Sequence, residues 1–591
     1  MQNTSTIIYT GPQMKKLAIV LCVLSALFAC SENKESTRLD DTAHETSITS
    51  TLYHGGEILT MAGEQANYAE AVLVEGEKIA FVGSKQDALK KAIDGVEIVD
   101  LQGKTMMPGF IDGHAHFSNF ASQAIYALLL PSPDAEINSV EAAVTALNEW
   151  NTPENRAFTG WIVGTGFDDS VIEEKRFLTK HDLDRVSTEH PVMVMHISGH
   201  FAMVNSVALE KLNITADTPN PEGGLIRREE GSNEPNGVLE ELAAIPHMMA
   251  ALSPTSPEAL ARFFAAGQEM ALSYGYTTAQ EGRAMENHEL LASLAEQELL
   301  KIDVVSYIDY LFVDKYMSSK WKSEQYTNHY RIGGMKVTLD GSPQGRTAWR
   351  TSPYLIPPDG AAKDYSGYPA FPNDDDLIAI YRKGFENNWQ TLTHANGDAA
   401  MDQMIRSMKP LVDELGVGDR RNVLIHGQYV RDDQLDEFKK LDVIASLFPL
   451  HTYYWGDWHS QIIGSELGKR ISPTRTALDK GLKISIHTDA PVALPNLMRV
   501  VWTAVNRTSR SGKIIGEGER LSPYEALQAI TIWGAYQHFE ESRKGSIEAG
   551  KLADLVVLDA NPIEVEPDAI QDILVLQTIK NGELVYIRSG E

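Results

Sequence analysis

Cysteine is nearly absent from this chain of 591 residues: Cys22 and Cys30 are its two, both within the first 30 positions. Everything after Cys30 therefore forms no disulfide, no thiolate metal site and no cysteine nucleophile. Positive charge is also scarce. Lys and Arg number 52 against 81 Asp and Glu, a formal net charge of -29. No basic surface is concentrated anywhere, which argues against a nucleic-acid partner held through its phosphates. Beyond the leader, no uninterrupted apolar run reaches the roughly 18 residues that mark a membrane helix. A Gly-x-Ser-x-Gly elbow is missing, and the lone Gly164-Thr165-Gly166 carries no nucleotide signal. What is present in ordinary amounts is apolar residues, so a large core is open to the chain. Any metal held in the body must be bound by His, Asp, Glu or a modified Lys.

The first 30 residues read as a leader. Met14-Lys15-Lys16 precedes a short apolar run, Leu17 to Ala29, the layout of a secretory signal, with Met14 the natural start. Leu27-Phe28-Ala29-Cys30 resembles a bacterial lipobox, which would make Cys30 an acylated N-terminus; the plainer alternative is a cleaved signal with a chance cysteine. Residues 31–49 are polar and aperiodic, a tether. The expected location is extracytoplasmic: periplasmic, or on the periplasmic side of a membrane that is touched through the lipid anchor only.

Residues 50–107 alternate short β-like runs with turns, and residues 545–591 repeat the texture, ending in Asn581-Gly582 before Leu584-Val585-Tyr586. Neither end has strands enough to stand alone, so the two are expected to pair into one small β-sandwich domain. Between them, over 108–544, short apolar runs alternate with helical patterns. Eight strands are expected: Gly109–Asp112, Tyr276–Ala279, Val304–Tyr307, Met335–Thr338, Thr391–His394, Val423–His426, Val443–Ser446 and Ile484–His487. Eight βα units make an α/β fold of the (β/α)8 TIM-barrel type the leading expectation. The gap after the first strand holds an insertion, about 119–262, placed to roof the active site.

Pro108-Gly109-Phe110-Ile111-Asp112-Gly113-His114-Ala115-His116 is the strongest local feature. Side chains at i and i+2 of a strand project to the same side, so His114 and His116 can offer two imidazoles to one ion. His-x-His alone is weak. It gains weight because His394, His426 and Asp489 also stand at the ends of expected strands, where barrel enzymes place their chemistry. His and Asp in this mixture suit zinc or a similar divalent ion.

With these residues in view, the chain resembles the amidohydrolase superfamily of metal-dependent hydrolases, in its amidohydrolase-3, YtcJ-like branch. Further motifs carry the resemblance: Gly333-Gly334-Met335-Lys336 running into Asp340-Gly341-Ser342, His394 to Asp398, Asp489-Ala490-Pro491-Val492, and Gly545 to Val557. The resemblance implies that His114 and His116 hold one metal with Asp489, that His394 and His426 hold a second, and that Lys336 bridges both ions as a carboxylated lysine. Pro343-Gln344 before Arg346 depart from the family's commoner residues and are candidates for reshaping a substrate loop, while Glu281, where relatives often carry Asp, either lines the pocket or fixes a loop. Four substrate-binding candidates follow: Glu281, His200, Arg346 and His451. His196 and His200 suit substrate contact or hydrogen bonding better than metal, and Tyr453, Tyr454, Trp455 and Trp458 either wall the pocket or pack the loop.

The reaction this implies is hydrolysis of a non-peptide carbon–nitrogen bond in a small-molecule substrate: a metal-activated hydroxide attacks a carbonyl, and Asp489 moves the proton to the leaving nitrogen. An esterase, lactonase or phosphoesterase on the same metals, and a catalytically dead surface binding protein, are the alternatives.

Overall fold

The structure is a computed structural model and describes residues 49–197, 199, 201–221, 224–358 and 361–589. The leader reading, with Met14, Cys30 and the tether to residue 48, lies outside the described residues, and so does His200. Among the described residues, no helix is long and apolar enough to cross a membrane.

Eight parallel strands carry the central unit: β1 (Phe110–Ile111), β2 (Tyr276–Ala284), β3 (Asp303–Asp309), β4 (Tyr330–Thr338), β5 (Gln390–Ala395), β6 (Val423–His426), β7 (Ile444–Leu447) and β8 (Ile484–Ile486). Each pairs in parallel with the next in chain order. Runs such as Val423-Leu424-Ile425 are apolar on both faces and buried on both, as parallel strands under helices must be. The sheet is curled, and the segments just after β1 and β8 are hydrogen-bonded to each other: His116 N–H donates to Ala490 O at 2.8 Å and Asp489 N–H to His114 O at 3.0 Å. Val305, Tyr307, Leu392, Val423, Ile425 and Ile444 pack together as one buried cluster on these strands. Helices alternate with the strands, among them α1 (Pro257–Ser273), α2 (Asp398–Leu415), α3 (Leu450–Ile463) and α4 (Leu497–Asn506). The Ser256 side chain caps α1 by accepting from the Ala259 N–H.

Both ends of the described chain enter one eight-stranded sheet. Ser50–Leu59 pairs with Tyr68–Glu75, which pairs with Lys78–Gly83, and in parallel with Glu97–Asp100; Thr105–Pro108 joins Ser50–Leu59 to Leu555–Leu558, followed by Val575–Lys580 and Glu583–Ile587. Asn581 and Gly582, with φ of 51° and 80°, make the two-residue turn of the last hairpin. A third, six-stranded sheet lies within the insertion, in the order Gly224–Arg228, Pro235–Glu241, Phe201–Val204, Val192–His196, Ile162–Phe167 and Ala127–Leu128.

A buried ion cluster joins the parallel sheet to the sheet of the chain ends. Lys544 Nζ lies 2.5 Å from Asp303 Oδ2 and 3.0 Å from Glu540 Oε2, and Lys580 Nζ lies 2.8 Å from both Asp303 Oδ2 and Asp554 Oδ2. Arg331 Nη2 meets Glu540 Oε1 at 3.0 Å.

Candidate metal centre

The C-terminal ends of β1, β4, β5, β6 and β8 bring their polar side chains to one place. His114 Nε2 and His116 Nε2 each lie 3.6 Å from Asp489 Oδ1. Lys336 Nζ is 3.0 Å from His114 Nε2. His394 Nδ1 faces His426 Nε2 at 3.2 Å, and His426 Nε2 lies 3.9 Å from Asp489 Oδ2. The sequence-predicted ligands His114, His116, Lys336, His394, His426 and Asp489 therefore converge. Two ligand atoms bonded to one tetrahedral zinc at about 2.0–2.1 Å stand roughly 3.4 Å apart, so separations of 3.2 and 3.6 Å are those of atoms able to share an ion.

Burial leaves the imidazoles as neutral donors. Burial pushes the His394 imidazole down to about 3 and holds those of His114 and His426 well below the usual 6.5, with Lys336 adding to each effect. All three are neutral near pH 7, with a lone pair free for a metal. Burial also brings the Lys336 amine down to about 7, against the opposing pull of Asp489.

A surrounding set of hydrogen bonds fixes these rings. His114 Nδ1 lies 2.6 Å from Gln280 Oε1, and the Gln280 amide donates to Gly113 O at 2.8 Å. Gln280 thus presents its carbonyl oxygen, His114 carries its proton on Nδ1, and Nε2 points bare at Lys336 and Asp489. Asp112, buried beneath, accepts from the His114 and Thr488 N–H groups and from the Tyr276 and Thr488 hydroxyls at 2.6–3.2 Å, tying β1 to β8. Burial still raises its carboxyl to about 6. His426 Nδ1 meets His487 Nε2 at 3.1 Å, and His487 Nδ1 meets Ser446 Oγ at 2.9 Å. Asp340 accepts three backbone N–H bonds, from Trp349, Asn396 and Gly397, clamping the loop after β4 to the turn after His394. His426 and Asp489 both take left-handed backbone, φ 74° and 53°, turning their side chains inward at the strand ends.

A cavity of about 50 Å³ opens on the cluster, lined by His394, Asn396, His426, His451, Asp489 and the Ser342–Gln344 turn. Of the substrate-binding candidates described, only His451 lines it. Glu281 is buried and accepts both Ser118 bonds through Oε2, its Oε1 lying 4.0 Å from His116 Nδ1, so it braces the turn after β1. Arg346 donates to Pro357 O at 3.3 Å, lies over the Trp458 ring and does not line the cavity. Tyr453, Tyr454, Trp455 and Trp458 belong to α3 and pack around it instead of walling the cavity. His196 ends the strand Val192–His196 and bonds Asp169 Oδ1 at 3.0 Å. Gln280, His487 and Ser446 are not legible as site residues in the sequence: His487 and Ser446 stand there only as strand ends, and nothing in the chain ties position 280 to 114 before it is folded.

The amidohydrolase family model matches residues 97–586. YtcJ of Bacillus subtilis is 27% identical over 547 residues, covering 91% of this chain and 99% of its own length. The N-substituted formamide deformylase of Arthrobacter pascens is 27% identical over 539 residues, covering 88% and 96%. In fold, the chain is similar to the crystal structure of an uncharacterized metal-dependent hydrolase from Pyrococcus furiosus, with a TM-score of 0.68 at 24% identity over 87% of this chain and 100% of that one. A match across most of the chain, with the strand ends already converged on a cation-ready cluster, places this protein in the amidohydrolase family.

Proposed function

We propose that the protein is a metal-dependent hydrolase of a non-peptide carbon–nitrogen bond, an amide or formamide in a small molecule. The observation that carries this is the meeting of His114 Nε2, His116 Nε2 and Asp489 Oδ1 at 3.6 Å. His394 and His426 would hold a second ion, Lys336 Nζ stands 3.0 Å from His114 Nε2, and zinc suits the donors. Bound there, a divalent ion supplies Lewis acidity, which makes water a source of hydroxide near neutral pH and polarises a carbonyl. Asp489 Oδ takes the proton that water gives up and hands it to the departing nitrogen as the C–N bond breaks, leaving a carboxylic acid, which releases its proton to solvent, and an amine. A Lys336 amine held near 7 is partly neutral in use, and a neutral amine adds CO2, losing one proton, to become a carbamate ligand. The deformylase among the relatives supports the carbon–nitrogen choice over an ester, lactone or phosphoester.

The same proposal takes the parallel sheet as a closed (β/α)8 barrel over 108–544 with its inserted lid at about 119–262. Residues 50–107 and 545–591 form the β-sandwich domain, and residues 1–30 are the leader of an extracytoplasmic lipoprotein.

The test is a purified body assayed for metal and against a panel of N-substituted formamides, other amides, esters, lactones and phosphoesters. At least one tightly held divalent ion and turnover of amides are expected, with His114→Ala and Asp489→Ala each lowering kcat by about 10²–10⁴-fold. Near-normal turnover in both variants would overturn the site, and ester-only turnover would overturn the bond assignment. A body with no tightly held ion would favour a binding protein.

A further inference from the structure

Resting on the hydrolase reading, we propose that His451 is a catalytic residue that presents a neutral Nε2–H donor to the carbonyl oxygen of the substrate, and that Tyr429 and His459 are positioning residues that hold it in that tautomer. His451 stands in the first turn of α3 and lines the same cavity as His394, His426 and Asp489. Its Nδ1 lies 2.9 Å from His459 Nε2, two turns further along the same helix. His459 Nδ1 in turn lies 2.9 Å from the Tyr429 hydroxyl, on the loop after β6.

A chain of two imidazoles ending on a hydroxyl runs in one direction only, because each neutral ring has one N–H and one lone pair. The Tyr429 hydroxyl has no other partner among the described residues. If His459 Nδ1 were the donor, the tyrosine hydrogen would be left buried without an acceptor, which is costly in a low-dielectric setting. So Tyr429 donates to His459 Nδ1, His459 Nε2–H donates to His451 Nδ1, and the proton of His451 sits on Nε2. That nitrogen has no protein partner among the described residues and faces the cavity. Burial keeps both rings neutral, pushing His459 down to about 3 and His451 well below the usual range, and holds the Tyr429 hydroxyl protonated. Phe448, edge-on at 5.1 Å, and Trp455, at 4.7 Å, fix the plane of the His451 ring.

A neutral N–H is the donor this place can use. It meets the charge that grows on a carbonyl oxygen under attack, and it brings no positive charge beside a site built for cations. The rings transfer no proton in this role; they only fix where one points.

The first experiment needs neither a variant nor turnover. Histidine-selective 15N labelling of the metal-loaded protein and a two-bond 1H–15N spectrum give the tautomer of each ring. Protonated Nε2 is expected for both His451 and His459, with the His451 Nε2 proton moving downfield when formate is added. An unprotonated His451 Nε2 would overturn the proposal by making the ring an acceptor, and a formate-indifferent proton would overturn its role toward carbonyl oxygen. In kinetics with an N-substituted formamide, His451→Leu is expected to lower kcat about 10²–10³-fold, and His451→Gln, which keeps an N–H, to recover part of it. Tyr429→Phe is expected to lower kcat about 10–100-fold with KM little changed, and to split the His459 signals between two tautomers. Wild-type kcat in His451→Leu would overturn the catalytic role. A protein that turns over no amide, ester, lactone or phosphoester of the panel would sink the hydrolase reading, while the spectrum would still decide the donor.

Discussion

His114 reaches its ligand-ready state through Gln280, a residue that is not itself a candidate ligand. Gln280 fixes the tautomer and the ring angle of His114, and a buried leucine of similar size in its place would do neither. Gly113 O would keep a donor in Gln537 Nε2, at 2.6 Å, so the fold is expected to survive. Gln280→Leu should weaken metal binding about 10–100-fold, read by competition with a chelator, at nearly unchanged thermal stability; unchanged metal affinity would show that the hydrogen bond is incidental. At this scale, legibility follows chain distance. His114, His116, His394, His426 and Asp489 were readable because each sits in a short motif at a strand end. Gln280 lies 166 residues from its partner and Tyr429 lies 30 from His459, and only the folded sheet brings either pair together. Glu281 and Arg346 are candidates for substrate contact by sequence because they flank such motifs, and neither is among the residues that line the cavity.

Strands were legible wherever they are continuously apolar. All eight parallel strands overlap the runs that predicted them, and β6 matches residue for residue. The differences are polar. β2 continues through Gln280, Glu281, Gly282 and Arg283 to Ala284, although those side chains suggest a loop, because the strand end is buried against the site. β4 begins at Tyr330, taking in Arg331, whose charge is met by Glu540 in the interior. The extension of β2 has a geometric requirement. A Cβ at Gly282 would come within 2.2 Å of His114 Cε1 and 2.9 Å of Ala115 O, so β2 passes β1 only as glycine. Gly282→Ala is expected to displace the His114 ring and lower bound metal to well under one equivalent while the protein stays folded by circular dichroism. Full metal occupancy would mean that β1 gives way instead.

For the whole molecule, what joins the two ends of the chain to the central sheet is charge as well as apolar contact. Burial alone would raise the Glu540 carboxyl, but Lys544 and Arg331 outweigh it and bring it from an ordinary 4.5 to about 2. A carboxylate whose folded value is depressed contributes stability above its unfolded value and loses it as pH falls through the folded one. Acid should therefore erode stability between about pH 4.5 and pH 2, and Glu540→Gln should flatten that part of the profile. At neutral pH the same variant leaves Lys544 and Arg331 with less compensation and should cost about 3–5 kcal/mol in denaturant unfolding. A cost below about 1 kcal/mol would mean that water or the remaining acids Asp303 and Asp554 carry the cations. The sequence shows that the ends meet, through matching β texture, but gives no hint that ions seal the joint, because Asp303, Glu540, Lys544 and Lys580 each look like surface residues in isolation.

The left-handed turns at His426 and Asp489 have one more consequence. A backbone wound that way is most comfortable without a side chain, so glycine is the residue that relaxed geometry would choose at both places, and it is the one residue with nothing to offer an ion. Any pressure toward a sturdier chain at these two positions runs directly into loss of chemistry, and the molecule is least at ease where it has most to do.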